Sequence, residues 1–442
     1  MHRLLAFWVN VRSSLWFIPT IIAATSALSG YVLAQSGRTF PALAQSELPQ
    51  IFGFSAEGSR AMLSAIATSL ITVAGVAFSV TIVALSLASS QYSPRVLRQF
   101  MRDRGNQYVL GVFVGIFAYC LVVLPMVRGG EEAGYVPALA VAFGVVLALG
   151  GVGCLIFFIH HVANAIQASS IISEIAAETH QAIDKLFPDT LGEDAGSEPL
   201  EIKDLQWHPV DARTSGMLQL VNESALLETA VTHDLVIRME YRIGDFVVKG
   251  TPIVSISRIP SKETELMEVL TAAFTIDRTR TIEQDAAYGL RQIVDVALRA
   301  LSPSLNDTTT AILCINHIAD LLRHMASRHA ESHFRRKDGT LRVIAVGDGF
   351  TDFVHLGLDQ IRESGGGNVV VLDRLLWAIP IIASATLSIN RREPLAAAAR
   401  AIAEIAEREV KDSAARVELV ERAREIGRNC ENRLRHLAAI GP

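Results

Sequence analysis

Charge is missing from four long stretches of this chain, and lysine is missing from its first 159 residues. The stretches are 15–33, 61–89, 108–127 and 136–159, and none contains Asp, Glu, Lys or Arg. About 20 apolar residues cross the hydrocarbon core of a bilayer, so each reads as a transmembrane helix. Ion- and proton-coupled transporters usually bury ionisable groups within their spans, and these spans offer none. No pair of interrupted spans suggests an inverted repeat either. Cysteine is scarce. Cys120, Cys154, Cys314 and Cys430 form no CxxC pair, which argues against a disulfide framework or a thiolate metal site. There is no GxSxG nucleophile turn. Gly365-Gly366-Gly367 lacks the following Lys-Ser/Thr of a phosphate loop and reads as a turn before an apolar helix. No catalytic residue, cofactor or resident metal is expected.

What is present divides unevenly. The chain has 442 residues, 50% hydrophobic and 19% charged, with a formal net charge of −5. Residues 1–159 hold nine Arg and five acidic residues, a net of +4, so residues 160–442 carry −9. A membrane part thus precedes an acidic part large enough for its own core. That acidity argues against nucleic acid as a partner, because phosphate binding needs clustered cations.

The connections between spans alternate in charge. Arg3 and Arg12 precede the first span, and Arg95, Arg98, Arg102 and Arg104 lie between the second and third. The other two connections are nearly neutral. By the positive-inside rule both termini, and everything after the fourth span, face the cytoplasm. Ala42-Leu43-Ala44 imitates a signal-cleavage site, but it sits well past the end of the first apolar run. Ser93 suits an N-cap and Pro94 a first helical position. A short interfacial helix would follow, with Arg95, Arg98 and Arg102 toward anionic lipid headgroups.

The second span carries small and hydroxyl residues in a stripe: Ser64, Thr68, Thr72, Gly75, Ser79 and Ser86. Spacings of four, four, three, four and seven keep them on one helical face. Such a face serves close packing against a neighbouring helix, or it lines a wet path around an oligomer axis. Gly111 and Gly115, and Gly144, Ala148 and Gly151, give the third and fourth spans small faces of their own.

After the adjacent His160 and His161, the helical pattern continues to residue 187 as an expected stalk, followed by a polar linker over 188–200. Residues 201–260 change texture. Strands are expected at 217–221, at 235–241 and on either side of Gly250, with Asn222 capping a short helix. Ser215-Gly216 and the run Gly244-Asp245-Phe246-Val247-Val248-Lys249-Gly250 resemble the small barrel-sandwich module of biotinyl, lipoyl and efflux-adaptor domains. The Met-Lys-Met hairpin that such carriers modify is absent. Residues 261–442 read as mostly helical. Thr281 to Gln284 fits a capping box, Asn306 or Asp307 caps the next helix, and a charged antiparallel pair runs from 394 to 436. The fold class is therefore four transmembrane helices followed by a cytoplasmic α+β region with a barrel-sandwich-like module and a helical module.

Several motifs carry a full-length resemblance: residues 12–19, 71–79 and 88–95, then Arg104-Gly105-Asn106-Gln107, Phe158-Ile159-His160-His161, Arg280 to Asp285 and Ala300 to Asp307. On these the chain resembles an uncharacterised bacterial family of predicted membrane proteins, a domain of unknown function. The resemblance implies a multi-pass protein of the inner membrane and no particular activity. Thr308 departs from the family pattern, which more often has proline there.

Arg278, Arg280, Gln284 and Asp285 at one end of a helix, with Asn306 and Asp307 at the other, are the candidate ligand or subunit-contact site. Caps and interhelical ion pairs are the alternative use of these residues. His317, Asp320 and His324 share a helical face, and His329 and His333 stand four apart, but no third metal ligand follows from spacing. The reading that unites these features is a homo-oligomeric channel or channel-like pore with a cytoplasmic assembly or gating domain. The alternative is a non-conducting sensor or scaffold that binds a small ligand or a cytoplasmic protein.

Overall fold

The computed structural model describes residues 16–39, 55–91, 103–128, 135–186, 193–194, 205–259, 263–328, 333–386 and 388–440. Ala44, Arg95, Arg98, Arg102 and His329 lie outside them. The chain forms two compact units, Met1–Ser170 and Ile171–Pro442.

Apolar length dictates the first unit. Its helices are α1 (Phe17–Thr39), α2 (Ala56–Gln91), α3 (Arg104–Val123) and α4 (Ala138–Ala165), and all four are long and apolar enough to cross a membrane. Ser55 starts α2 by accepting the Gly58 N–H at 3.0 Å. Asp103 starts α3 by accepting the Gly105 N–H at 2.9 Å. A single 3₁₀ turn, Leu124–Met126 with Pro125, ends it.

The helices approach where side chains are smallest. A Cβ at Gly111 would lie 2.6 Å from Ile22 Cδ1, and one at Gly115 2.8 Å from Ser26 Oγ, both on α1. A Cβ at Gly144 would meet Leu63 of α2, and one at Gly151 would meet Ile116 of α3 and Leu70 of α2. In hydrocarbon, where burial of apolar surface gives little between helices, this close contact supplies the attraction. Several polar side chains find acceptors within the unit, as lipid requires. Tyr119 is fully buried, and its hydroxyl donates to the Ala140 carbonyl at 2.7 Å. Thr72 and Thr81 each donate to the carbonyl four residues back at 2.8 Å.

The expected stalk does not continue the fourth span. Helix α4 ends at Ala165, and α5 (Ala168–Leu186) begins after a break at Ile166 and Gln167. The buried face of α5 includes Ile172, Ile175, Thr179 and Ile183. It comes close at Gly289, where an added Cβ would run into the Thr179 hydroxyl. The apolar stripe read as a stalk is thus a core face of the second unit.

No closed barrel forms among the described residues. The strands are β1 (Glu193–Asp194), β2 (His208–Asp211), β3 (Gly216–Val221), β4 (Ile237–Met239), β5 (Phe246–Val247), β6 (Pro252–Ile256), β7 (Phe274–Asp277), β8 (Phe334–Lys337) and β9 (Thr340–Ile344). One sheet has the order β1-β8-β9-β4-β6-β2 and the other β5-β3-β7. The barrel-sandwich expectation fails because β4 pairs in parallel with β9, some 100 residues on, and β3 pairs with β7. Strands over 201–260 are therefore shared between two open sheets.

Between and after them lie α6 (Glu223–Thr232), α7 (Glu263–Ala272), α8 (Ala286–Ala300), α9 (Thr308–Ser327), α10 (Phe350–Ser364), α11 (Val369–Ser384), α12 (Ile389–Glu409) and α13 (Ser413–Ile440). The capping box expected at Thr281 is not used. Asp285 caps α8 by accepting the Tyr288 N–H, and Gln284 instead accepts the Val221 N–H at 2.9 Å. Two consecutive arginines close other helix ends. Arg392 is 2% exposed and donates to the Ala383 carbonyl in the last turn of α11 and to the Thr386 carbonyl just after it, and Arg391 donates to the Ala326 carbonyl of α9. A cation suits a helix C-terminus on both hydrogen-bonding and dipole grounds.

The α5–α8 approach gives a direct test. Gly289→Ala is expected to lower stability by about 1–3 kcal/mol, the usual cost of overpacking. Thr179→Ala should recover part of that loss in the double variant. Thermal unfolding of the four proteins checks it, and additive losses would contradict the contact.

Candidate functional site

Two regions combine chemistry with accessibility, one in each unit. The first is the stripe on α2. Ser64, Thr68, Thr72, Gly75, Ser79 and Ser86 are all exposed, and a Cβ added at Gly75 would meet nothing within 4 Å among the described residues. The face that α2 buries is a different one: Leu63, Ala67, Leu70, Ala74, Ala77, Thr81 and Ala84. Gly111 and Gly115 of α3 and Gly144 and Gly151 of α4 are engaged by neighbours within the chain, whereas the α2 stripe, like Gly150 and Gly153 of α4, is exposed.

Two family motifs meet near the other end of α3. Asp103 pairs with His161 Nε2 at 2.5 Å, the His161 ring stacks on Phe157, and a Cβ at Gly105 would lie 2.5 Å from His161 Nε2. Gly105 is therefore what lets the ring reach the carboxylate. His160 points elsewhere, to Asn164 at 3.0 Å. Asn106 is fully buried, and its carboxamide makes no hydrogen bond among the described residues.

The second region is a cleft of about 480 Å³ in the second unit. Its foundation is the Arg280–Asp285 pair. Arg280 donates from Nε and Nη2 to the two carboxylate oxygens of Asp285 at 2.8 and 2.9 Å, and its guanidinium lies 5.0 Å over the Tyr288 ring. Asp285 is 3% exposed. Burial holds its carboxyl above the ordinary aspartate range, against the pull of Arg280. Above the pair sits Gly244, at φ +93°, where a Cβ would lie 2.5 Å from Arg280 Nη2 and 2.6 Å from Asp285 Oδ2. Only glycine accepts both the dihedral and the approach. The Gly244-Asp245 turn and the Arg280 to Asp285 segment, far apart in sequence, are thus one structure.

That turn positions a second pair. Arg242 donates to Asp348 Oδ1 at 2.6 Å and its backbone N–H to Asp245 Oδ2 at 2.9 Å. Burial pushes the Asp348 carboxyl up; Arg242 opposes this, and nearby Asp352 and Asp245 reinforce it. Beyond the pair, Arg291 on α8 reaches Gln360 on α10 at 2.5 Å. Arg280 and Arg291 line one side of the cleft, and Asp352 and Asp359, one face of α10, line the other.

The structure separates the sequence-predicted set. Arg280 and Asp285 lie at the cleft, and Gln284 holds β3. Arg278 is exposed, its N–H bonded to its neighbour Asp277. Asn306 and Asp307 stand at the far end of α8, about 22 Å away by helix geometry. Asn306 takes φ 46°, and Asp307 caps α9 by accepting the Thr310 N–H at 3.0 Å. Thr308, where the family pattern favours proline, accepts from Asn368 Nδ2 at 2.9 Å and so ties α9 to the start of α11.

Spacing missed the partners of the histidine face. His180 pairs with Asp320 at 2.8 Å and His324 with Asp184 at 2.7 Å, joining α5 to α9, and Arg328 also reaches Asp184. No group of three or more His, Cys, Asp or Glu among the described residues is arranged to hold a metal ion.

Comparison with known proteins places the chain. It belongs to the predicted membrane protein family DUF2254, whose model matches residues 12–380. It is similar to uncharacterised proteins of Mycobacterium tuberculosis and Mycobacterium bovis, at 30% identity over 433 residues, covering 94% of this chain and 80% of each relative. No solved structure matches it.

Two substitutions test the foundation of the cleft. Gly244→Ala and Asp285→Asn should each lower stability by about 2 kcal/mol, the first through a strained φ and the second because an amide offers Arg280 one acceptor oxygen in place of two. Because the folded chain raises the Asp285 pKa, the carboxyl's contribution is complete below about pH 4 and is lost as pH rises through the folded value. The gap between wild type and Asp285→Asn should therefore be widest in acid and narrow toward neutrality. Unfolding curves across that range check the sign.

Proposed function

We propose that this member of a membrane protein family works as a homo-oligomeric channel or channel-like pore of the inner membrane, with α2 at the contact between copies and along the conduit. One observation carries the reading. The hydroxyl stripe of α2 is exposed over its length, while the packing face of the same helix is elsewhere. Serine, threonine and glycine gain little from lipid tails, and on an outward face they favour another helix or water. Around an axis they would form a weakly polar, uncharged lining. Both termini are cytoplasmic in this reading, and the second unit assembles or gates the pore.

The cleft of the second unit supports a second reading, in which the protein is a membrane-anchored sensor or scaffold that recognises a ligand or protein without conducting. The two readings differ in whether ions cross.

Reconstitution in planar bilayers decides between them. The pore reading expects unitary currents that Thr72→Leu, at the middle of the stripe, reduces severalfold or abolishes. Currents indifferent to Thr72→Leu would remove α2 from the lining. Silence that persists when the residues beyond 187 are deleted, in a variant that still inserts and assembles, would favour the sensor.

A further inference from the structure

The cleft of the second unit holds opposite charges on facing sides, and this constrains what fits. From the α8 side come Arg280 and Arg291, and from α10 come Asp352 and Asp359, with Arg242 and Asp348 paired at one end. Between them the lining is apolar, at Ile243, Ala287, Phe353 and Leu356. The groove is narrow, since Arg291 touches Gln360 across it. With Asp245, the lining carries four carboxylates against three guanidinium groups, and adding Asp285 behind Arg280 and Arg362 beside Asp359 keeps the excess at one carboxylate.

We propose that this cleft binds a basic amino acid. A simple anion would meet the α10 carboxylates, and a simple cation would meet the arginines; a zwitterion satisfies both sides at once. The excess carboxylate favours a ligand with a second positive group. The α-carboxylate would face Arg291, displacing its contact to Gln360, beside Arg280, whose fork stays on Asp285. The ammonium groups would face Asp352 and Asp359, the latter shared with His355 at 2.8 Å and Arg362 at 3.3 Å, and the aliphatic chain would lie on Ala287 and Leu356. The volume of about 480 Å³ accommodates a molecule of that size with water. The foundation is rigid: the Arg280–Asp285 pair beneath Gly244 fixes one side, and the α8–α10 packing fixes the other. This inference rests on the cleft alone and stands apart from the role of α2.

Isothermal titration of the full chain in detergent with L-lysine tests it, beside cadaverine, which lacks the carboxylate, and glutarate, which lacks the ammonium groups. Saturable binding of L-lysine is expected, with cadaverine and glutarate each at least about tenfold weaker. Arg291→Ala and Asp359→Asn should each weaken L-lysine by at least about tenfold, with unfolding curves confirming that both variants remain folded. Both side chains are half-buried with partners at the helix surface, so the unfolding curves separate a loss of binding from a loss of fold. Absence of saturable L-lysine binding would overturn the proposal. So would cadaverine or glutarate binding as tightly as L-lysine, or L-lysine binding unchanged in both folded variants. None of these outcomes bears on conductance.

Discussion

In hydrocarbon, two helices come close only where their side chains are small, and the membrane unit is arranged around that constraint. Three of its four helices carry small faces. Gly111 and Gly115 admit α1, and Gly144 and Gly151 admit α2 and α3. The stripe of α2 is exposed, and a Cβ at Gly75 would meet nothing within 4 Å among the described residues. This 36-residue helix packs a face of Leu and Ala and exposes two others, an apolar one with Val76, Phe78 and Val83 that suits lipid and the stripe of Ser, Thr and Gly. The proposed contact between copies follows from that asymmetry, and the lack of charge along the spans fits a conduit without a fixed ion site.

The second unit depends on a buried ion pair. Arg280 and Asp285 satisfy each other, Asp285 also caps α8, and Gly244 admits the β4–β5 turn directly above them. A buried carboxylate with one good counter-ion and a cap is costly to disturb, because loss of either partner strands the other. That rigidity positions Arg242, Asp348 and the sides of the cleft. The arginines after α11 do comparable work elsewhere: Arg392, buried, ties three carbonyl contacts at the end of that helix.

Much of the architecture is legible in the sequence. The four spans, the Asn222 cap, the Asp307 cap, the turn at Gly365 to Gly367 and the paired C-terminal helices follow from local pattern and turn chemistry. Failures arise where a distant partner decides. Thr281 to Gln284 has the composition of a capping box, but Gln284 bonds to β3 and Asp285 takes the cap. The glycine turns over 244–250 suggest a closed module, yet β4 finds its parallel neighbour in β9. The apolar stripe of α5 signals burial without saying against what, and Gly289 supplies the answer. At the site, Arg280 and Asp285 are visible as a motif, while Arg242, Asp348 and Arg291 enter through tertiary contacts that spacing does not encode.

The central claim, that the α2 stripe meets another copy, is tested most directly by disulfide trapping in native membranes. Single cysteines would replace Ser64, Thr72 and Ser79 on the stripe, with Leu149 on α4, also exposed, as the lipid-facing control. The account predicts cross-linked dimers from the stripe positions and none from Leu149→Cys. Equal cross-linking at all positions, or none along the stripe under oxidising conditions, would contradict it.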